Sequence, residues 1–223
     1  MADLILVPTE MERAKLEAFL PSDAGQSLAL QLCGFGPVAA AARAASLISR
    51  YQPERVLLIG IAGTFRPDEC PIGSAQRFEQ TICDGVGVGS GDEYQSAGKL
   101  GWLQFSGGDD AEPKLGDTIR LDSSFVSGIP SAGTLLTCCS ASASKEDAAI
   151  RRQRFPHAVA EDMEGYAVAM ACSLSRVPLQ IVRGISNEVG DRDTEHWRVT
   201  EALSSAAQLA LQLMLRQWLP APS

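Results

Sequence analysis

The sequence predicts an α/β fold in which a mostly parallel β-sheet is covered on both faces by helices. Three observations predict it. Short apolar runs such as Leu4-Ile5-Leu6-Val7 stop abruptly at proline, glycine or small polar residues, as strands buried on both faces do. Helical patterns with recognisable start signals alternate with those runs. Hydrophobic content of 45% against 21% charged residues indicates a buried core. At 223 residues, with no internal repeat, low-complexity tract or linker, the chain reads as one domain over residues 1–223.

Element by element, Leu4 to Val7 is the first strand, ended by Pro8. Thr9 can cap the next helix, and Glu12 three residues on completes a capping-box pattern. Residues 28–33 form a second apolar stretch. Gly36 and Pro37 then launch an alanine-rich helix from about Val38 to Tyr51. Arg55 to Ile59 is the next strand, running into the small-residue loop Gly60-Ile61-Ala62-Gly63-Thr64, where a backbone can approach a ligand. That loop has neither the spacing of a dinucleotide fingerprint nor the lysine of a phosphate loop. Residues 70–118, rich in Gly, Ser and Asp, read as strands joined by long loops. Thr134 to Cys139 is a buried strand, closed by the small residues Ser140 to Ser144, and a helix follows from Lys145 to Arg154. The helix starting near Met163 is apolar almost all round and therefore belongs deep in the core. Val177 to Arg183 returns as a strand. After a polar loop, Asp191 to Trp197, an amphipathic helix runs from about Val199 to Trp218.

Composition excludes several classes. A net charge of −8 gives no basic face for nucleic acid or anionic membrane, and Arg151-Arg152-Gln153-Arg154 is a solvated helix turn. The six cysteines are scattered without a C-x-x-C, and only His157 and His196 could join them, so no metal spacing appears. Buried reduced thiols are the expected state. The start has no basic flank, and no stretch approaches the roughly 20 apolar residues of a membrane span. A cytoplasmic protein is expected.

In sheets of this type, ligands bind beyond the carboxyl ends of the strands. That rule brings Glu12, the Ile61–Thr64 loop, the Thr137–Ser142 segment and Asn187 around one crevice. Five motifs lie in order along the chain: Val7-Pro8-Thr9-Glu10-Met11-Glu12, Gly60-Ile61-Ala62-Gly63-Thr64-Phe65, Asp84-Gly85-Val86-Gly87-Val88-Gly89, Asp162-Met163-Glu164-Gly165, and Arg183-Gly184-Ile185-Ser186-Asn187 continuing through Asp193. Together they resemble the nucleoside phosphorylase/nucleosidase superfamily over nearly the whole chain, and within it most nearly the futalosine hydrolases of menaquinone biosynthesis. The methylthioadenosine/S-adenosylhomocysteine nucleosidases share the scaffold but have an acidic residue where Asn187 stands. The resemblance implies a single-domain three-layer α/β/α fold with a central mixed sheet, no cofactor and no metal. It also implies a purine nucleoside as small-molecule partner and a homo-oligomer, a dimer or larger.

For the site, the resemblance implies that Glu164 clamps the ribose. A carboxylate is acceptor-only and can take both the 2′- and 3′-hydroxyls. Met163 packs its soft side chain against the sugar. The plainer reading of Glu164 is a helix N-terminal carboxylate stabilised by the macrodipole. Glu12 corresponds to the family residue that activates the attacking water, with Glu10 as its rival and simple capping as its plainer role. Asn187 faces the base. It offers one acceptor and two donors, suiting a 6-oxopurine, although it cannot itself supply a proton. An ordinary strand-end turn residue is its plainer reading. Ala62, Gly63, Ser140, Ser142 and Asp162 complete the expected substrate contacts. Ile61, unable to hydrogen-bond an anion through its side chain, favours hydrolysis over phosphorolysis. Phe35, Trp102 and Phe105, with Lys99 or Arg66, are candidates for a 5′ tail bearing a carboxylate, and Trp197 and Trp218 for an interface. Three further readings remain beside hydrolysis of futalosine: hydrolysis of methylthioadenosine, phosphorolysis of inosine, and silent nucleoside binding.

Overall fold

A computed structural model describes residues 3–20, 28–109, 112–122 and 128–215. In chain order its elements are β1 (Asp3–Val7), α1 (Glu10–Glu17), β2 (Leu28–Leu32), α2 (Pro37–Tyr51), β3 (Arg55–Thr64), β4 (Ala75–Arg77), β5 (Gln80–Asp84), β6 (Gly87–Val88), β7 (Gln95–Ser96), β8 (Thr118–Arg120), β9 (Thr134–Cys138), α3 (Lys145–Arg154), β10 (Ala158–Asp162), α4 (Gly165–Leu174), β11 (Leu179–Glu188) and α5 (Val199–Leu215). Among the described residues, nine strands form a mixed sheet in the order β2-β1-β3-β10-β9-β5-β8, with β11 paired to β3 and β4.

The sheet has two parallel sets. One joins β2, β1, β3 and β11; the other joins β10, β9 and β5. They meet antiparallel where Gly63 and Thr64 of β3 pair with Glu161 and Ala160 of β10. These are the carboxyl-terminal residues of both strands, so the two sets point their carboxyl ends at one junction. Ligands of α/β sheets bind beyond the carboxyl ends of the strands, and here both sets bring those ends together.

Helices cover both faces. Helices α2 and α4 contact one another and share a core with Leu4, Leu6, Leu58 and Leu135. On the opposite face, α1 and α5 bury Leu16, Leu203 and Ala207 against Ile5, Val7 and Ile59. Helix α3 packs through Ala148 on Leu136, whose neighbour Leu135 belongs to the α4 face, as strand alternation requires. The three-layer α/β/α arrangement is the expected one.

Several boundaries differ from those read in the sequence. Strand β3 continues through the small residues to Thr64, because β1 and then β10 pair along one edge and β11 along the other. Strand β11 extends past Arg183 to Glu188, and α4 begins at Gly165 rather than Met163. Strand β10 was not anticipated, since its last two residues are the acids Glu161 and Asp162. Trp218 lies outside the described residues. All six cysteines are unpaired, and Cys139 alone among them is exposed.

Candidate active site

At the junction of the two strand sets lies a cavity of about 280 Å³. Glu12 reaches it from α1, Ala62 and Gly63 from β3, and Ser142 from the turn after β9. Met163 and Glu164 enter from the bend between β10 and α4, and Asn187 from the end of β11. The expected crevice residues are thus brought together, apart from Ser140.

At one side stand three carboxylates and a guanidinium. Arg183 is wholly buried in β11. Its Nε and Nη2 donate to Asp162 Oδ2 at 3.0 and 2.5 Å, and Nη2 also reaches Glu164 Oε2 at 3.3 Å. Nη1 has no acceptor among the described residues and lies over Gly60, next to Glu12 Oε1. Only glycine fits there: a Cβ at residue 60 would sit 2.1 Å from that Nη1.

Asp162 is a scaffold residue as well as a cavity wall. It accepts from Thr137 Oγ1 at 2.6 Å and from the Gly165 amide at 2.8 Å, besides Arg183. It therefore caps α4, and Thr137 Oγ1 takes the Tyr166 amide at 2.8 Å. That frees Glu164, the N-cap residue, which makes no capping bond of its own. Its Oε1 instead accepts from the Gly36 amide at 2.9 Å. Burial, reinforced by Asp162 and Glu12, pushes its carboxyl up to about 7, against the opposing pull of Arg183 and the Gly36 amide. Glu164 stands at the helix terminus, as the plainer reading has it, but its carboxylate makes no bond to the helix.

Glu12 closes the capping box and also faces the cavity. Oε2 closes the capping box on Thr9, at 3.0 Å to the amide and 2.5 Å to Oγ1, while Oε1 accepts from the Ile61 amide at 2.9 Å. The residue is 3% exposed and lines the cavity. Its rival Glu10 is on the surface, ion-paired with Arg13 at 2.5 Å.

At the other side, Asn187 Oδ1 accepts from Ser186 Oγ at 2.6 Å, and its Nδ2 approaches the carbonyls of Glu188 at 2.8 Å and Asp191 at 3.4 Å. Ser142 gives its amide and hydroxyl to Glu161, at 2.8 and 2.7 Å. Arg151 braces that pair, touching Glu161 Oε2 at 2.9 Å, Asp84 Oδ2 at 3.1 Å and the Ser140 carbonyl at 2.6 Å.

Several expectations are corrected here. Ser140 is exposed and outside the cavity lining, contributing only its carbonyl, to Arg151. Of the tail candidates, Phe35 lines the cavity, whereas Trp102, Phe105, Lys99 and Arg66 do not. Arg66 is held by Glu69 and the Pro156 carbonyl. Trp197 belongs to the cavity wall. Sequence reasoning missed Arg183, and Arg151, expected on a solvated helix turn, is instead largely buried against Glu161 and Asp84. A lone arginine inside the apolar run of β11 was the available signal for the first, because a buried charge demands buried partners.

A mixed α/β sheet with its cavity where the carboxyl ends of two strand sets converge defines a small-molecule site. The chain belongs to the phosphorylase superfamily, whose sequence model matches residues 6–217. It is 32% identical over 198 residues to the futalosine hydrolase of Streptomyces coelicolor, covering 86% of this chain and 81% of that protein. It is 30% identical over 225 residues to the futalosine hydrolase of Thermus thermophilus, covering 96% of each. In fold it is similar to the 5′-methylthioadenosine/S-adenosylhomocysteine nucleosidase of Colwellia psychrerythraea, solved in complex with adenine. That match has a TM-score of 0.74 at 23% identity, over 97% of this chain and 96% of the other. Among the described residues no helix is long and apolar enough to cross a membrane.

Proposed function

We propose that the protein hydrolyses the N-ribosyl bond of futalosine, releasing hypoxanthine and dehypoxanthine futalosine, as a step of menaquinone biosynthesis. The coarser assignment, an N-glycosidic nucleoside hydrolase, rests on the family and on relatives that are themselves named hydrolases. The observation that supports the finer one is that an amide, Asn187, rather than an acid stands beside Glu12 and Glu164 in a single cavity.

Breaking C1′–N9 builds positive charge on the sugar, and water then adds its oxygen to C1′ while its proton balances the departing base. Glu164 accepts the ribose hydroxyls. Met163 packs on the sugar, between the two strand sets. Glu12, which lines the cavity, orients the water and draws its proton. Asn187 Oδ1 keeps a lone pair for a protonated N7. Ala62, Gly63 and Ser142 wall the base. Hydrolysis fits better than phosphorolysis because the Ile61 amide is already given to Glu12. Exposed Phe35, Val38 and Trp102 suit a homo-oligomer, a dimer or larger.

A second reading, methylthioadenosine hydrolysis, has one observation in its favour. Both Nδ2 hydrogens of Asn187 are directed at backbone carbonyls, leaving an acceptor that would suit a 6-amino group. The test is base release from futalosine, methylthioadenosine and inosine, each in phosphate-free buffer. Hypoxanthine from futalosine, lost in Glu12→Gln while substrate still binds, is the expected result. Adenine from methylthioadenosine would establish the second reading, and release by a Glu12→Gln variant at wild-type rate would remove the assigned role of Glu12.

A further inference from the structure

We propose that Arg192 determines base specificity, its guanidinium donating to the 6-oxo oxygen of the purine; this rests on the reading of the substrate as a 6-oxopurine nucleoside. The problem it solves is one of donors. A 6-oxopurine presents an acceptor at C6, so the site must offer an N–H or O–H there. Asn187 is badly placed to do so. Its two N–H groups face the carbonyls of Glu188 and Asp191, and its oxygen is taken up on one side by Ser186. The Ser142 amide and hydroxyl are given to Glu161. Arg183 is held by Asp162 and Glu164 on the ribose side.

Arg192 is the cation that remains. It lines the cavity, and among the described residues it makes no hydrogen bond or ion pair. That is unusual for an arginine flanked by two aspartates, and both have other partners. Asp191 Oδ2 meets His196 Nδ1 at 2.9 Å, and its Oδ1 accepts from the Asp193 amide at 3.0 Å. Asp193 Oδ1 accepts from the Glu195 amide at 3.1 Å, capping the short turn over Thr194–His196. The guanidinium instead lies over the Trp197 ring, 4.9 Å from its centroid. Stacking of this kind orients a guanidinium while leaving its in-plane N–H groups free to donate.

The stack is registered to the base-facing amide. Trp197 Nε1 donates to the Asp191 carbonyl at 3.1 Å, the same oxygen that Asn187 Nδ2 approaches. The turn before it is fixed as well. Gly190 has φ +87°, and a Cβ there would lie 2.3 Å from the Ser144 carbonyl, just beyond the Ser142 wall. Arg192 therefore stands at the base side, anchored to the amide that reads N7. Asn187 supplies an acceptor and Arg192 a donor, the pair of functions that a protonated N7 and an O6 require. A 6-amino group would turn donor against donor, which is how a polar site rejects the wrong edge.

The test compares binding of the free bases hypoxanthine and adenine by calorimetry, with kcat/KM for futalosine and its 6-amino counterpart, in wild type, Arg192→Ala and Arg192→Lys. Loss of a hydrogen bond from a charged donor should weaken hypoxanthine binding about tenfold or more in Arg192→Ala, while adenine binding holds or tightens because the opposed donor is gone. The kcat/KM ratio of the 6-oxo to the 6-amino substrate should fall in parallel, with Lys intermediate because it keeps charge and loses the fork. If wild type prefers the 6-oxo substrate and Arg192→Ala keeps that preference, or weakens both bases equally, the assignment of Arg192 is overturned by itself. If wild type prefers the 6-amino substrate, the substrate reading fails and takes this inference with it.

Discussion

Replacing Glu164 with Gln tests the centre of the proposed mechanism, because it removes a charge from a group whose two oxygens are both located. Oε1 accepts from the Gly36 amide and Oε2 from Arg183. Gln keeps one acceptor and must turn its NH₂ toward one of those donors. Two charge-assisted bonds to ribose hydroxyls, each about 1.5–3 kcal/mol, would be weakened, so kcat/KM should fall about 10²- to 10⁴-fold. The pH profile gives a second signature. Burial raises the carboxyl to about 7, and only the ionised form accepts both hydroxyls, so wild-type kcat/KM should climb through that pH and level off above it. Linkage runs the opposite way for stability. The native state holds a proton that the unfolded chain releases in the ordinary carboxylate range, so the free enzyme loses stability as pH rises from there to about 7. Initial rates and thermal melts from about pH 5 to about pH 9 read both effects. A variant that kept wild-type kcat/KM, or retained the acid limb, would refute the assignment of Glu164.

Asn187→Asp replaces Nδ2, now 2.8 Å from the Glu188 carbonyl, with an oxygen that this carbonyl repels, so the side chain should turn a second acceptor toward the base and shift product from hypoxanthine toward adenine when 6-oxo and 6-amino substrates compete. An unchanged ratio on chromatography would sink the account of that residue. Gly60→Ala drives a methyl into Arg183 Nη1 and toward Glu12 Oε1 at 2.9 Å, so hydrolysis should be lost and stability should drop by about 1–3 kcal/mol. A melting temperature and rate equal to wild type would show that Arg183 can move aside. Arg151→Met leaves Glu161 buried without its cation, while Asp84 keeps Arg154 at 3.1 Å. Denaturant unfolding should therefore show a loss of about 3 kcal/mol, at the low end for a broken buried pair, and a loss well under about 1 kcal/mol would show the brace to be dispensable.

Much of the fold was legible because local rules and tertiary structure agree. Thr9 and Glu12 close the capping box they spell, Pro37 opens α2, and the apolar α4 is buried from Gly165 to Cys172 except at Met170. What failed to show was set by partners distant in sequence. Gly60 to Thr64 looked like a loop because small residues favour loops; pairing with β10 and β11 makes them a strand. Strand β10 ends in two acids that become tolerable only through Arg151 and Arg183, and neither pairing is written locally. The same reason explains the site. Glu12, Glu164 and Asn187 could be placed by motif and strand-end logic, whereas Ser140 was misplaced because the bend after β9 exposes it and turns Ser142 inward. Lys99 and Arg66 were chosen as cations by composition, while the cavity cation, Arg192, lay inside a motif already quoted.

The acids at Glu161, Asp162 and Glu164 show how one short segment supplies a scaffold and a reacting group together. Neighbouring side chains of a strand point to opposite faces, so Glu161 and Asp162 must find separate partners. Glu161 turns to Arg151 and Ser142 on the base side, and Asp162 to Arg183 and Thr137 on the ribose side. Each is matched by a guanidinium at 2.9 Å or less. The chain then bends through Met163, and Glu164 arrives third at an arginine already claimed by Asp162, reaching it only at 3.3 Å. This incomplete neutralisation, added to burial, is what sets its carboxyl apart and holds it near 7. A carboxylate fully paired with Arg183 would have little left to offer a sugar. One left partly unpaired in a buried site gains most from accepting hydroxyls and from the positive charge that grows on the ribose as its bond to the base breaks. The strength of the proposed clamp therefore derives from Asp162, which takes the arginine first.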